Sequence, residues 1–273
     1  MGLLRRSFSL ITLLLAIVWG RAEIVLPRSE PVLGFGFENA LPGIPFNDPV
    51  GVVSAPGETH RLFVVEQGGL IVAVDLASGA RQMFLDVRPG LRVSPEAGLL
   101  GLTFHPNFAE NGRFFVYRTI NANGLRVRLS EFRCDPPDAP TANPSSERIL
   151  ISQLDGLDTH NAGDLKFGPD GYLYLSLGDE SPLLDDVHES PQAIDKGFFG
   201  GIIRIDVDGR PENLVPNPHP AATGNYRVPS DNPFVGATEF DGRPVNPWAV
   251  RTEFFAVGLR NPWRFTFDPF TDR

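Results

Sequence analysis

The 273-residue sequence has one cysteine, Cys134, so no intrachain disulfide can form. No Cys/His grouping has the spacing of a zinc site. Two lysines, Lys166 and Lys196, stand against 22 arginines, and acids outnumber bases to a net charge of −9. Setting aside residues 1–22 removes three arginines and no acid, which takes −9 to −12. A surface of that sign repels phosphate backbones, so no nucleic acid is expected as a partner. The chain has almost no 3.6-residue apolar periodicity, which argues against a helical fold. It also has no Gly-rich phosphate loop, nucleophile elbow, metalloprotease helix or calcium-hand loop. Apolar runs of membrane-spanning length are missing as well. The longest, Phe8 to Trp19, is short of the ~20 residues that cross a bilayer.

What is present is glycine (28) and proline (26), near 20% of the chain against a usual figure of about 12%, together with 10% aromatics, 21 of them Phe. That composition fits a globular chain with many turns. At the N-terminus, Arg5 and Arg6 precede the apolar run, and Gly20-Arg21-Ala22 offers small residues at the −3 and −1 positions of a cleavage site. The pattern predicts a signal peptide over 1–22, cut after Ala22, with an uncleaved anchor as the other reading. Secretion or export to a periplasm follows from it, with no stable membrane insertion after cleavage. A Pro-rich leader occupies 23–45.

From residue 46 onward a strand, turn, strand unit recurs. Val50–Pro56 leads into Arg61–Val65, Leu100–Pro106 into Arg113–Tyr117, and Asp164–Pro169 across Asp170-Gly171 into Tyr172–Ser176; Trp263–Pro269 begins the unit again. Further strands are expected at Leu70–Asp75, Arg126–Phe132 and Gly201–Asp206. Alternating apolar residues followed by Pro and a Gly- or Asn-containing turn are hairpin chemistry. All-β units recurring at about 40–50 residues suggest propeller blades, with a β-sandwich as the alternative. Arg273 falls where earlier units enter their second strand, so about four blades, cut at the C-terminus, are expected in this chain.

Polar residues at equivalent loop positions are the candidates for chemistry. His160 precedes a strand and Asp179 follows the next one; a hairpin brings such ends together, so a carboxylate could orient an imidazole base. The same residues could instead cap loop backbone. Arg260 and Asn261 hold the same phase ahead of the fourth unit, and Glu96 holds it ahead of the second. Arg260 could supply a fixed cation for an anionic or quinonoid ligand, or pair with an acid for structure. His105 reads as a packed turn residue, His60, His188 and His219 as solvated loop residues, and Asp75, Asp206 and Asp208 as turn residues.

Five stretches, in order, resemble the soluble quinoprotein glucose/sorbosone dehydrogenase family, the pyrroloquinoline quinone (PQQ)-dependent aldose sugar dehydrogenases. They are Gly98–Phe108, His160–Tyr174, Gly201–Gly209, Val228–Phe234 and Gly258–Phe265. The resemblance implies an all-β, six-bladed β-propeller with PQQ at the mouth of the central channel. It also implies an external electron acceptor and an aldose substrate oxidised at C1 to the lactone. By motif position His160 is similar to the proton-abstracting base and Asp179 to the carboxylate that orients it. Arg260 and Asn261 resemble the pair that polarises the quinone carbonyl, and Glu96 falls where glucose-oxidising members carry a cofactor-contacting Gln. Thr159 stands where those members have an acid. No metal ligand is assigned within the chain, and the Ca2+ ligands are expected beyond its last residue. The same fold also admits a non-catalytic extracellular binding module or a calcium-dependent lactonase.

Overall fold

In the computed structural model, residues 36, 38–179 and 193–268 are described. The expected signal peptide, most of the leader, His188 and Pro269 lie outside the described residues. The unit that begins at Gly43 is built from antiparallel meanders. The first sheet pairs β1 (Pro49–Val53), β2 (Arg61–Glu66), β3 (Leu70–Asp75) and β4 (Arg81–Asp86) in chain order. The second does the same with β5 (Leu99–Phe104), β6 (Arg113–Asn121), β7 (Leu125–Arg133) and β8 (Arg148–Leu154).

The third sheet starts with β9 (Leu165–Phe167), β10 (Leu173–Leu177) and β11 (Gly201–Ile205). It then waits for its outer strand through a long insertion, which carries the small hairpin β12 (Glu239–Phe240) and β13 (Arg243–Pro244). β14 (Phe254–Val257) finally pairs with β11. Three whole four-stranded blades are therefore formed. The fourth unit expected from Trp263 has no regular secondary structure through residue 268 and lies outside any sheet among the described residues.

Hairpin chemistry explains the meander, and burial on both faces explains the sparse alternation. Along β6, Phe114 and Val116 pack toward the first blade, while Phe115 and Tyr117 pack toward the third. Such a strand reads as a continuous apolar run. Between blades one and two, Phe63 meets Phe84 edge-on at 4.8 Å and Phe104 at 4.6 Å, with Phe108, Phe114 and Phe132 closing the layer. Each Phe buried this way contributes roughly 1.5–3 kcal/mol, which is the stabilisation a single free cysteine cannot supply. Burial raises the Cys134 thiol to about 11, so it is packed in its neutral form.

The first strands β1, β5 and β9 line a groove of about 710 Å³, with Arg264 at its wall. They pack closely there: a Cβ on Gly101 of β5 would come within 2.1 Å of the Gly163 carbonyl oxygen. No helix among the described residues is long and apolar enough to cross a membrane.

Candidate functional site

The residues that precede β5 and β9 and follow β10 and β14 share one rim of the blades, because neighbouring strands run antiparallel. On that rim the structure brings together all five predicted residues. His160 Nδ1 lies 2.6 Å from Asp179 Oδ1, both side chains buried. Asp179 is held in turn by its own backbone N–H, which donates to the Arg260 carbonyl at 2.9 Å. The carboxylate fixes the proton on Nδ1 and leaves Nε2 unpartnered among the described residues, as a base requires.

His160 has a left-handed backbone, φ 53°, and its surroundings explain how a non-glycine residue keeps it. Its backbone N–H donates to Glu96 Oε2 at 2.6 Å, and the Asn161 side-chain amide donates to the Glu96 carbonyl at 3.0 Å. Asn261 Oδ1 accepts the Ala162 N–H at 3.0 Å, while its Nδ2 approaches Glu96 Oε2 at 3.4 Å. Underneath, Gly178 leaves no room for a side chain: a Cβ there would come within 1.5 Å of the His160 carbonyl oxygen. The Glu96 loop is itself anchored from the first blade. The Gln67 amide, in the β2–β3 turn, donates to the carbonyls of Ser94 (2.9 Å) and Ala97 (3.0 Å). Three blades thus set the position of one imidazole.

Arg260 projects as an exposed guanidinium with no hydrogen bond or ion pair among the described residues, while its backbone is fixed through Asp179. Thr159 Oγ1 and Asn161 Oδ1, on either side of His160 in the chain, are buried without a partner among the described residues. Residues outside the predicted set also matter here. Tyr117 donates its hydroxyl to the Asn161 carbonyl at 3.1 Å, and Arg92 pairs with Asp158 at 2.5 Å to hold the start of the His160 loop. Tyr117 reads in the sequence as one more residue of an apolar strand run, and the Arg92–Asp158 pair joins residues 66 apart, so neither carries a local signal.

The other histidines fall elsewhere. His105 is buried at the far end of β5, where its Nε2 faces Asp208 Oδ1 at 3.1 Å. His60 is exposed. His219 is only half-solvated, because its ring packs edge-on against Phe198 at 5.5 Å and its Nδ1 accepts the Ala221 N–H. Asp75 and Asp206 accept the backbone N–H groups of their own turns. Among the described residues no group of three or more His, Cys, Asp or Glu side chains converges as a metal site would.

Antiparallel four-stranded meanders arranged side by side, with polar loop residues meeting at one rim of their first strands, define a β-propeller with a site on its axial face. Residues 46–273 match the Glucose / Sorbosone dehydrogenase family model, and the chain belongs to that family. The HIPL1 protein of Arabidopsis thaliana is 30% identical over 264 residues, covering 80% of this chain and 36% of that protein. The Hedgehog-interacting protein of Mus musculus is 31% identical over 232 residues, covering 81% and 30%. The chain thus spans about a third of the length of these relatives. The soluble aldose sugar dehydrogenase of Escherichia coli, solved in its apo-form, shares the fold at a TM-score of 0.60 and 22% identity, over 83% of this chain and 56% of that one.

The donor set fits the quinone edge of PQQ: an imidazole oriented by a carboxylate, an unpaired guanidinium and a side-chain amide lie on one rim. The exposed Arg260 guanidinium, on a rim that also carries the Glu96 carboxylate, would not by itself neutralise the three carboxylates of that cofactor. The described residues would meet the reacting edge of such a cofactor and not the whole of it.

Proposed function

We propose that this chain supplies the catalytic base and part of the cofactor seat of a secreted or periplasmic PQQ-dependent sugar dehydrogenase, with calcium as a second cofactor. The observation that carries the reading is the 2.6 Å contact between His160 Nδ1 and Asp179, with Nε2 left unpartnered among the described residues and the Arg260 backbone bonded to Asp179. PQQ, when bound, accepts the hydride from the sugar C1. His160 Nε2 takes the proton of the C1 hydroxyl as the C–H electron pair leaves, so the aldose becomes the lactone and His160 ends protonated. Asp179 holds the imidazole in the tautomer that can accept this proton, and its charge stabilises the imidazolium that results. Arg260 and Asn261 place a cation and an amide where negative charge develops on the acceptor oxygen. Glu96 closes the same rim toward the cofactor. An external acceptor then carries the electrons away.

Replacing His160 by Ala in the full gene product should abolish most sugar-dependent dye reduction while PQQ binding is kept. Wild-type turnover in that variant would remove His160 from the role of base. A second reading, a propeller that binds another protein and does no chemistry, is favoured by the 31% identity to a Hedgehog-interacting protein. It predicts no saturable PQQ binding at all.

A further inference from the structure

Most buried arginines of this chain are matched by carboxylates, while Arg251, 2% exposed, donates to the backbone carbonyls of Ala249, Asn217 and Pro218. Arg61 pairs with Glu58, Arg113 with Glu131 and Asp208, and Arg204 with Asp170 and Asp231. One pair departs from this. Arg118 on β6 stands directly opposite Arg128 on β7, an arrangement of like charges that is unfavourable unless something lies between them. Arg118 is 5% exposed, on the strand face that carries Phe114 and Val116 into the layer between blades one and two. A single carboxylate, Glu147, serves both: its Oε1 accepts Arg118 Nη2 at 2.8 Å, lies 3.6 Å from Arg128 Nη1 and also accepts the Ser130 hydroxyl at 2.6 Å. Three further guanidinium nitrogens, Arg118 Nε and Nη1 and Arg128 Nε, are buried with no partner among the described residues.

Buried donors left unmade cost about 1–3 kcal/mol each, more when charged, and a native fold fills such places with water or an ion. Water satisfies the donors but leaves the charge. Two guanidinium groups against one carboxylate leave one positive charge at the margin of the layer, where the Phe132 ring lies 5.5 Å from the buried Arg118 guanidinium while Arg128 and Glu147 reach partly to solvent. Burial, opposed by Glu147 and reinforced by Arg128, holds Arg118 below the usual arginine range, the direction expected of a cation short of counter-charge.

We infer that Arg118 and Arg128 form a binding site for one small monovalent anion, chloride in a saline medium, which locks blade two in place. One negative charge balances the pair where a divalent anion would overshoot. The site lies on the face of β6 opposite Tyr117, which reaches the His160 loop, and it does not depend on the dehydrogenase reading.

The test is thermal unfolding of the full chain in sodium chloride against sodium gluconate at equal ionic strength. Chloride should raise the melting temperature by about 2–4 °C in a saturable way. Arg128→Gln leaves Arg118 and Glu147 as a neutral pair. That variant should lose the chloride shift and, in gluconate, melt at or above the wild-type temperature. The same shift in wild type and variant, or no shift in wild type, overturns the proposal. Crystals of the wild-type protein grown in bromide give an answer that does not depend on the variant folding. An anomalous peak between the two guanidinium groups is expected, and ordered water alone at that position is the contrary result.

Discussion

Glu96 Oε2 accepts the backbone N–H of His160 at 2.6 Å, so a carboxylate ahead of the second blade holds the left-handed backbone of the residue ahead of the third. The bond is between a charge and a main-chain dipole, and it fixes where the imidazole starts. Glu96→Ala should therefore lower sugar-dependent turnover by on the order of 10–100-fold, the scale of a misplacement of about 1 Å. Glu96→Gln retains an acceptor oxygen and should stay close to wild type. Equal losses in the two variants, read from kcat in dye reduction, would show that the charge matters and not the anchor.

Asp179→Asn keeps the shape of the pair but can present its amide to Nδ1, turning the imidazole to the tautomer that cannot accept at Nε2. Turnover should fall on the order of 10²–10⁴-fold. PQQ affinity should change little, since Asp179 touches the base and the Arg260 backbone and not the cofactor edge. A large loss of binding with kcat preserved would reverse the assignment.

Gly178→Ala tests the packing beneath the site. Its Cβ would come within 1.5 Å of the His160 carbonyl oxygen, with that residue's Cα at 3.2 Å, so backbone and not a flexible side chain must move. Overpacking of this kind costs typically 1–3 kcal/mol and more where backbone resists. A denaturant midpoint unchanged from wild type would mean that the His160 loop yields freely.

His105 gives a pH signature of its own. Its Nδ1 accepts the Asn107 N–H at 3.0 Å and lies 2.9 Å from Asn111 Nδ2, while Nε2 donates to Asp208 at 3.1 Å. The fold therefore selects the neutral ring. Burial lowers its pKa below the usual value of 6.5, with Arg113 adding to the effect and Asp208 opposing it. The unfolded chain then takes up the proton first as pH falls. The stability this gives is present above about pH 6.5 and declines as pH drops through the folded value, by at most about 1.4 kcal/mol per pH unit for one proton. Urea unfolding between pH 7.5 and 5 should show a shallower slope for His105→Gln than for wild type. Parallel slopes would mean that His105 is free to protonate in the fold.

Much of the blade pattern was legible because hairpin chemistry is local. Asp170-Gly171 turns β9 into β10, and the Pro-marked units at Pro56, Pro106 and Pro169 each mark the first hairpin of a sheet. The outer strand of the third blade was not legible, since Phe254–Val257 pairs with Gly201–Ile203 across an insertion that no turn signal spans. At the site, equivalent phase ahead of successive first strands was enough to expect Glu96, His160 and Arg260 to meet. The bonds that fix them were hidden for a physical reason. They run from side chain to backbone between blades, as Asn261 Oδ1 does to the Ala162 N–H and Gln67 Nε2 to the Ala97 carbonyl, and such bonds place no demand on local sequence pattern.

The His160 rim is proposed to belong to a quinone-dependent sugar dehydrogenase. A PQQ titration of the full gene product in the presence of calcium, followed by dye reduction with a panel of aldoses, tests it most directly. Saturable binding that weakens when Arg260 is replaced by Gln is expected, with aldose-dependent dye reduction that is lost in His160→Ala. No binding at micromolar PQQ would contradict the proposal and leave the family fold serving as a binding module.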